Sequence, residues 1–107
     1  MSRREIRGSR AIVSGASSGI GRAIALELAR EGARVVAVAR REDRLRELAA
    51  QIAAAGGKVE TVAGDLTDPA VRQKTIEVAQ SSFGGLDILV NNAGVGAVGR
   101  FDESDSE

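Results

Sequence analysis

The first place in the sequence where chemistry is expected is a glycine-rich stretch near the N-terminus. Ser14-Gly15-Ala16-Ser17-Ser18-Gly19-Ile20-Gly21 follows an apolar run at residues 11–13 and leads into a helical pattern that begins at Ile20. The first backbone N–H groups of a helix lack partners within it and carry partial positive charge, so they bind phosphate. Glycine lets a phosphate approach the backbone because it has no Cβ atom. The stretch therefore predicts a dinucleotide-binding turn between a strand and a helix.

The spacing of these glycines is G-x-x-x-G-x-G, which differs from the G-x-G-x-x-G pattern of many dinucleotide-binding turns. No Gly-Lys-Ser or Gly-Lys-Thr follows, which argues against a P-loop. Taken alone, the pattern is weak evidence, and a plain connection between strand and helix is the alternative. The prediction therefore depends on the residues that follow the later strands.

The predicted second strand ends in Ala39-Arg40-Arg41, with no carboxylate. In folds that bind NAD, an acidic residue about 20 positions past the glycines bonds the ribose 2′-hydroxyl. An arginine suits a 2′-phosphate instead, because the guanidinium presents a planar fork of donors. The sequence therefore favours NADP over NAD. The alternative is that both arginines are solvated residues at the start of a helix.

Polar side chains also follow the third and fourth predicted strands. Asp65 can accept a hydrogen bond from an adenine amino group, or it can satisfy amides of its own loop, and the sequence leaves both open. Asn91-Asn92-Ala93-Gly94 offers amides for backbone and ribose, and small residues that leave room for a cofactor. A simple turn after a strand is the alternative for this tetrapeptide.

The elements that must position these residues alternate as β-α-β-α-β-α-β. Predicted strands cover residues 10–14, 34–39, 58–63 and 87–90, and predicted helices begin at 20, 42 and 69 and end near 30, 55 and 83. Such alternation predicts an α/β fold with a parallel sheet and helices on both faces, in strand order 3-2-1-4. That order puts the glycine stretch at the carboxyl end of a central strand, where such sheets bind ligands.

Helical spacing predicts which side chains of the three helices face the sheet. Asp68 is the expected N-cap of the third helix, with Pro69 as its first residue. The expected buried residues are Ile20, Ile24 and Leu28 with Ala23, Ala25 and Ala29 in the first helix, Leu45, Leu48 and Ile52 in the second, and Ile76, Ala79 and Phe83 in the third.

Composition narrows the class of protein further. The chain has 107 residues, no net charge, no cysteine and no histidine. We expect one domain over residues 1–107, frayed at 1–9 and 104–107, with no disulfide and no metal site. The charge balance gives no sign of a nucleic-acid partner, and the apolar runs are too short to span a membrane. No signal peptide is recognisable, so the cytoplasm is the expected location.

Together, these motifs resemble the short-chain dehydrogenase/reductase family, in its classical NADP-preferring type. The resemblance runs from about residue 8 to residue 103 and rests on the glycine stretch, Gly64-Asp65-Leu66, and Asp87-Ile88-Leu89-Val90-Asn91-Asn92-Ala93-Gly94. The family usually begins the glycine motif with Thr, where this chain has Ser14. The resemblance implies a Rossmann-type three-layer sandwich, of which this chain would be the N-terminal half.

The resemblance also implies roles for single residues. Ala39 stands where NAD-preferring members carry aspartate, and Ser18 where some NADP-dependent members carry a basic residue. The implied cofactor-binding set is Gly15, Ser18, Gly19 and Gly21 at the pyrophosphate, Ser17 and Ile20 at the phosphates and ribose, Arg40 at the 2′-phosphate, Asp65 and Leu66 at adenine, and Asn91, Ala93 and Gly94 at the nicotinamide-side ribose.

No catalytic residue is carried over from the family. Its catalytic Ser, Tyr and Lys lie downstream of the Asn-Asn-Ala-Gly element, and this sequence contains no tyrosine. We expect an oxidoreductase portion that is inactive alone. We also expect Ile88, Leu89 and Val90 to present unpaired backbone and exposed apolar side chains, which favours self-association or a complementing chain. A nucleotide-binding module without chemistry, or an interaction fragment, is the alternative. The substrate is not predicted.

Overall fold

A computed structural model describes residues 6–17 and 19–92, and these form an α/β sandwich. Within them the strands are β1 (Arg10–Ser14), β2 (Arg34–Ala39), β3 (Lys58–Ala63) and β4 (Ile88–Asn91), and the α-helices are α1 (Gly19–Arg30), α2 (Glu42–Ala54) and α3 (Pro69–Val78). A π-helical segment, Ala79–Phe83, continues α3. All strand pairs are parallel and the order is β3-β2-β1-β4, which confirms the predicted sheet.

The register brings the carboxyl ends of the strands to one edge. Ser14, the last residue of β1, lies opposite Val38 of β2 and Asn91 of β4. Ala39, the last residue of β2, lies opposite Ala63 of β3. The loops that leave these strand ends therefore start side by side, and the predicted site residues sit on them.

Alternate residues of the buried strands face opposite sides of the sheet, as strand geometry requires. Val35 and Ala37 pack with α1 and α2 in one apolar cluster. Val36 and Val38 pack in a second cluster with residues of α3 and the π-helical segment. The sheet thus has helices on both faces, which confirms the three-layer architecture.

Helix α1 packs on the sheet through the small residues Ala25 and Ala29, with Ile24 and Leu28 partly buried against the same cluster. Ile20 is 53% exposed and Ala23 is also exposed, so the prediction that both are buried is wrong. Ala25 and Ala29 are buried as predicted. These small residues let the helix approach the strands closely, while Ile20 lies in the first turn, beyond the carboxyl edge of the sheet. Its side chain is therefore available at that edge.

The predicted core of α2 is confirmed, since Leu45, Leu48 and Ile52 are buried. In α3 the structure differs from the prediction, because Ile76 is 45% exposed and its neighbour Thr75 is buried. The Thr75 hydroxyl donates to the carbonyl of Val71, one turn earlier, at 2.7 Å. A threonine satisfied in this way can be buried without an unpaired polar group.

The ends of α3 follow the predicted pattern more closely. Asp68 is the N-cap, its carboxylate accepts from the Ala70 N–H at 2.9 Å, and Pro69 is the first helical residue. Beyond the helix, Ala79 is buried and Phe83 is half-buried against the second cluster. The buried side of α3 and the π-helical segment therefore runs through Thr75 and Ala79, and Ile76, the residue after Thr75, lies outside it.

Part of the segment predicted to be frayed is packed against the sheet. Residues 1–5 and 104–107 lie outside the described residues. Gly8 donates from its backbone N–H to the carbonyl of Gly32 at 2.9 Å, and the carbonyl of Ser9 accepts from Arg34 at 2.8 Å. Ser9 is buried. Residues 6–9 are thereby held beside the start of β2.

Strand β4 is the terminal strand of the sheet among the described residues. The prediction that its side chains are open to solvent is wrong for Ile88 and Val90, which are buried in the same cluster as α1 and α2. Leu89 is half-buried against the opposite cluster. No described strand pairs with the outer backbone edge of β4, so that edge, rather than its apolar side chains, is its open feature within residues 6–17 and 19–92.

Candidate functional site

A cleft of about 640 Å³ opens at the carboxyl edge of the sheet. Its lining comes from the glycine stretch, the ends of β1 and β2, and the loops that follow β2, β3 and β4. The lining residues are Ser14, Gly15, Ser17, Gly19, Ile20, Val38, Ala39, Arg40, Arg41, Gly64, Asp65, Leu66, Thr67 and Asn92. The fold thus joins residues more than 70 positions apart in the sequence into one concave site.

Most of the predicted site residues meet in this cleft. Gly15, Ser17, Gly19, Ile20, Arg40, Asp65 and Leu66 line it, whereas Gly21 and Asn91 do not. Ser18, Ala93 and Gly94 lie outside the described residues. Four polar residues outside the predicted set also line the cleft, because they occupy the same strand ends and loops: Ser14, Arg41, Thr67 and Asn92.

The three positions of the turn hold glycine for different structural reasons. Gly15 has φ of +66°, and a Cβ atom there would overlap the backbone oxygen of Asn92. At Gly21 a Cβ atom would overlap the carbonyl oxygen of Gly15. A Cβ at Gly19 would meet no described atom within 4 Å, although Gly19 lines the cleft. Gly15 and Gly21 therefore serve the close packing of the turn, and Gly19 leaves space in front of the first turn of α1.

Ser14 ties the glycine turn to the end of β4. Its hydroxyl donates to the side-chain oxygen of Asn91 at 2.9 Å and accepts from the backbone N–H of Asn92 at 3.0 Å. Ser14 is buried, and its hydrogen bond with Asn92 is buried too, whereas the one with Asn91 is partly buried. The signal that could have identified Ser14 is its position as the hydroxyl residue that opens the glycine stretch. The side-chain oxygen of Asn91 is thus bonded to β1.

The two arginines after β2 have different partners. Arg41 donates from Nε and Nη2 to the two carboxylate oxygens of Asp43, at 3.2 and 3.1 Å. This pairing raises the pKa of Arg41 and lowers the pKa of Asp43, mainly through the side-chain hydrogen bonds between them. Arg40 is exposed on the cleft and makes no side-chain hydrogen bond or ion pair with the described residues. Its donors are open to an anion in the cleft.

Asp65 forms a turn within its own loop. One carboxylate oxygen accepts from the backbone N–H of Thr67 at 2.9 Å. Hydrogen bonds from Thr67 lower the pKa of Asp65, and the positive charge of Arg40 lowers it further. Asp65 therefore does accept a hydrogen bond from an amide of its own loop, which is one of the two roles that the sequence left open. The same carboxylate borders the cleft, close enough to Arg40 for the two charges to interact.

The arrangement suits an extended ligand with phosphate groups. Counting the described residues alone, the cleft offers a helix N-terminus with open space in front of it, the guanidinium of Arg40 without an acceptor, and apolar surface from Ile20 and Leu66. The described residues hold no group of carboxylates that could bind a metal ion. In the same part of the chain, every helix is too short or too polar to cross a bilayer.

Comparison with known proteins gives a consistent family. A sequence model described as short chain dehydrogenase matches residues 9–107. A short chain dehydrogenase from Pseudocercospora fijiensis is 42% identical over 95 residues, covering 89% of this chain and 31% of that protein. The 1-deoxy-11-beta-hydroxypentalenate dehydrogenase of Streptomyces exfoliatus is 44% identical over 91 residues, covering 84% of this chain and 33% of that protein.

Solved structures give the same result in three dimensions. L-sorbose reductase from Gluconobacter frateurii, whose crystal structure contains NADPH and L-sorbose, superposes with a TM-score of 0.79 at 44% identity. The match covers 94% of this chain and 38% of the reductase. The chain spans about a third of the length of the curated relatives it matches. The sheet order, the glycine turn and these matches agree. The chain belongs to the short chain dehydrogenase family, as an N-terminal portion with a Rossmann-type fold.

Proposed function

We propose that this chain is the NADP(H)-binding portion of an oxidoreductase that acts on alcohol or carbonyl groups. The observation that carries the proposal is Arg40, an exposed guanidinium on the cleft at the end of β2 with no acceptor among the described residues. The preceding residue is Ala39, so no carboxylate at that strand end would repel a 2′-phosphate. The NADPH bound to the related L-sorbose reductase supports the same choice.

The rest of the cleft fits a dinucleotide. The pyrophosphate would lie against the N-terminus of α1, where Gly19 leaves space and Ser17 adds a hydroxyl. We assign the adenine to the surface beside Leu66 and Asp65, whose second carboxylate oxygen can accept from an amino group. Ile20, with Asn91, Ala93 and Gly94, would border the ribose on the nicotinamide side, and Ser18 the phosphates.

The cofactor, when bound, supplies hydride transfer. The residues of this chain bind and orient it, with Arg40 selecting the phosphorylated ribose and the glycine turn holding the pyrophosphate. These 107 residues contain no tyrosine, so a tyrosine that moves the proton would have to belong to residues outside them. The reaction on alcohol or carbonyl is therefore proposed for the whole protein.

Cofactor titration tests the proposal directly. We expect NADPH to bind more tightly than NADH, and Arg40→Ala to weaken NADPH binding about ten- to a hundredfold through the loss of charge-assisted hydrogen bonds. NADH binding should change little. Arg34→Ala is the matched control, because Arg34 is an exposed arginine at the opposite end of the same strand.

The titration has two contrary outcomes. If NADH binds better than NADPH, the argument from Arg40 fails. If neither cofactor shows saturable binding at millimolar concentration, both cofactor assignments fail, and a role in interaction without nucleotide becomes the better hypothesis.

The backbone edge of β4 supports a second proposal, concerning partners. A terminal parallel strand offers one row of unpaired N–H and C=O groups to another strand. We propose that this edge pairs with a further segment, from a longer protein, a complementing chain or a second copy. Sedimentation of the 107-residue chain tests pairing between copies: association that rises with concentration supports it, and a monomer at high concentration contradicts it.

A further inference from the structure

Two adjacent arginines border the cleft, and among the described residues only Arg41 has an acceptor for its side chain. The Arg41 guanidinium is engaged by both carboxylate oxygens of Asp43. Arg40 has no such partner among the described residues, and both side chains line the same cleft. A 2′-phosphate at this edge would therefore meet one available guanidinium and one that is already occupied.

We propose that Asp43 is a specificity-determining residue that withholds Arg41 from the anion site. By engaging Arg41, Asp43 limits the site to the single guanidinium of Arg40 and so lowers the affinity for 2′-phosphorylated adenosine. The inference rests on the proposed function, since it concerns the strength of 2′-phosphate binding in the same cleft.

The geometry of the pair explains why it competes with a ligand instead of excluding it. The side chains of Arg41 and Asp43 are 59% and 63% exposed, so water and salt weaken their attraction. A doubly charged phosphate could compete for the same donors, but only by breaking two hydrogen bonds and approaching the Asp43 carboxylate. Replacing Asp43 with asparagine removes the repulsion and leaves one neutral acceptor oxygen, so both costs fall.

The local backbone keeps Asp43 in this position. Asp43 lies in the first turn of α2, where backbone N–H groups and the helix dipole favour a negative charge. Arg41 occupies the N-cap position and makes no side-chain hydrogen bond that caps the helix. The Arg41 side chain is therefore held by Asp43 and not by the helix terminus.

The test uses two ligands that differ by a single phosphate, adenosine 2′,5′-bisphosphate and adenosine 5′-monophosphate, titrated calorimetrically into the full 107-residue chain. We expect Asp43→Asn to bind the bisphosphate about three- to tenfold more tightly, with the monophosphate changed less than about twofold. Glu47→Gln is the matched control, because Glu47 acts on Arg41 through charge without a hydrogen bond. It should change the bisphosphate affinity less than about twofold.

The gain must depend on Arg41. Arg41→Met alone should weaken the bisphosphate less than about twofold, and the double variant with Asp43→Asn should return to the affinity of the parent chain. Thermal melts of each variant establish that the fold is intact.

Each contrary result has a separate meaning. If Asp43→Asn leaves the bisphosphate affinity unchanged while Arg40→Ala weakens it, the inference is overturned and the proposed function stands. If the gain persists without Arg41, Asp43 acts only by repelling phosphate, and the withholding role is overturned. If the parent chain binds both ligands equally and Arg40→Ala changes neither, the NADP assignment fails and the inference fails with it.

Discussion

The two edges of the sheet each carry an arginine at the end of a strand, and the chain treats these arginines differently. At the amino edge, Arg10 donates from Nε and Nη2 to the two oxygens of Asp87, at 2.8 and 2.9 Å, and from Nη1 to the Gly84 carbonyl at 3.0 Å. At the carboxyl edge, Arg40 makes no comparable contact with the described residues. The Arg10 side chain is thus paired within the protein, whereas the described residues offer the Arg40 side chain no hydrogen-bond partner.

The difference separates a structural arginine from a candidate binding residue of the same type. The Asp87 carboxylate also accepts from the Arg10 backbone N–H, and the Asp87 N–H donates to the Arg10 carbonyl, so the pair joins β1 to β4. Arg40 follows its strand with no acceptor provided by the neighbouring loop, apart from the electrostatic influence of Asp65. Unmatched donors beside a cleft indicate a ligand, and matched donors indicate a support for the fold.

The largest effect is expected at the glycine turn of the carboxyl edge. Alanine normally favours a helix over glycine by about 1 kcal/mol, but at Gly21 the new Cβ would overlap the carbonyl of Gly15. We expect Gly21→Ala to lower the free energy of unfolding by about 2–4 kcal/mol, measured by urea denaturation.

Gly19→Ala is the contrasting variant in the same turn. Its Cβ would meet no described atom, so stability should change by less than about 1 kcal/mol, while NADPH binding weakens because the new methyl group enters the space in front of α1. Equal destabilisation by the two substitutions would contradict the division of the glycines into packing and binding roles.

A smaller effect is expected at the amino edge. Asp87→Asn removes the charge that Arg10 binds, so we expect the melting temperature at pH 7 to fall by a few degrees with NADPH affinity unchanged. Arg10 lowers the pKa of Asp87 in the folded state. The stabilisation is thus present above the unfolded pKa, about 3.9, and is lost as pH falls through the folded value.

Melting curves from pH 7 to about pH 2 test this sign. The difference between the parent chain and Asp87→Asn should shrink as the pH falls below about 4, where the native carboxylate takes up its proton. A difference that stays constant across this range would show that the pair does not stabilise the fold through its charge. If Asp87→Asn also lowered the NADPH affinity, the two edges would not have separate structural and binding roles.

The smallest effect is expected from salt. Arg40 is exposed, so raising the ionic strength from about 0.05 to 0.5 M should weaken NADPH binding a few-fold more than NADH binding, because screening acts on the additional phosphate. Arg40→Ala should remove most of that difference, whereas Arg34→Ala should leave it. Equal salt dependence for the two cofactors would contradict a charge contact with the 2′-phosphate.

Local pattern was sufficient to predict much of the fold. The alternation of strands and helices predicted the parallel sheet, and the spacing of Leu45, Leu48 and Ile52 predicted the buried side of α2. It failed where a polar residue replaced an apolar one in the core, as with Thr75 beside Ile76, since hydrogen bonding to the backbone decides whether a hydroxyl can be buried. It also failed at Ile20, because position relative to the sheet edge is a tertiary property.

The candidate site shows the same division. The types and order of residues at the strand ends, from the glycine turn through Arg40 and Asp65 to Asn91 and Asn92, predicted by themselves a dinucleotide ligand at the carboxyl edge of the sheet. Only the tertiary structure decided which groups remain available there. Pairing between side chains depends on distances that the sequence does not contain. The tertiary structure was therefore needed to show that Arg41 is paired whereas Arg40 has no partner among the described residues, and that Ser14 is bonded to β4.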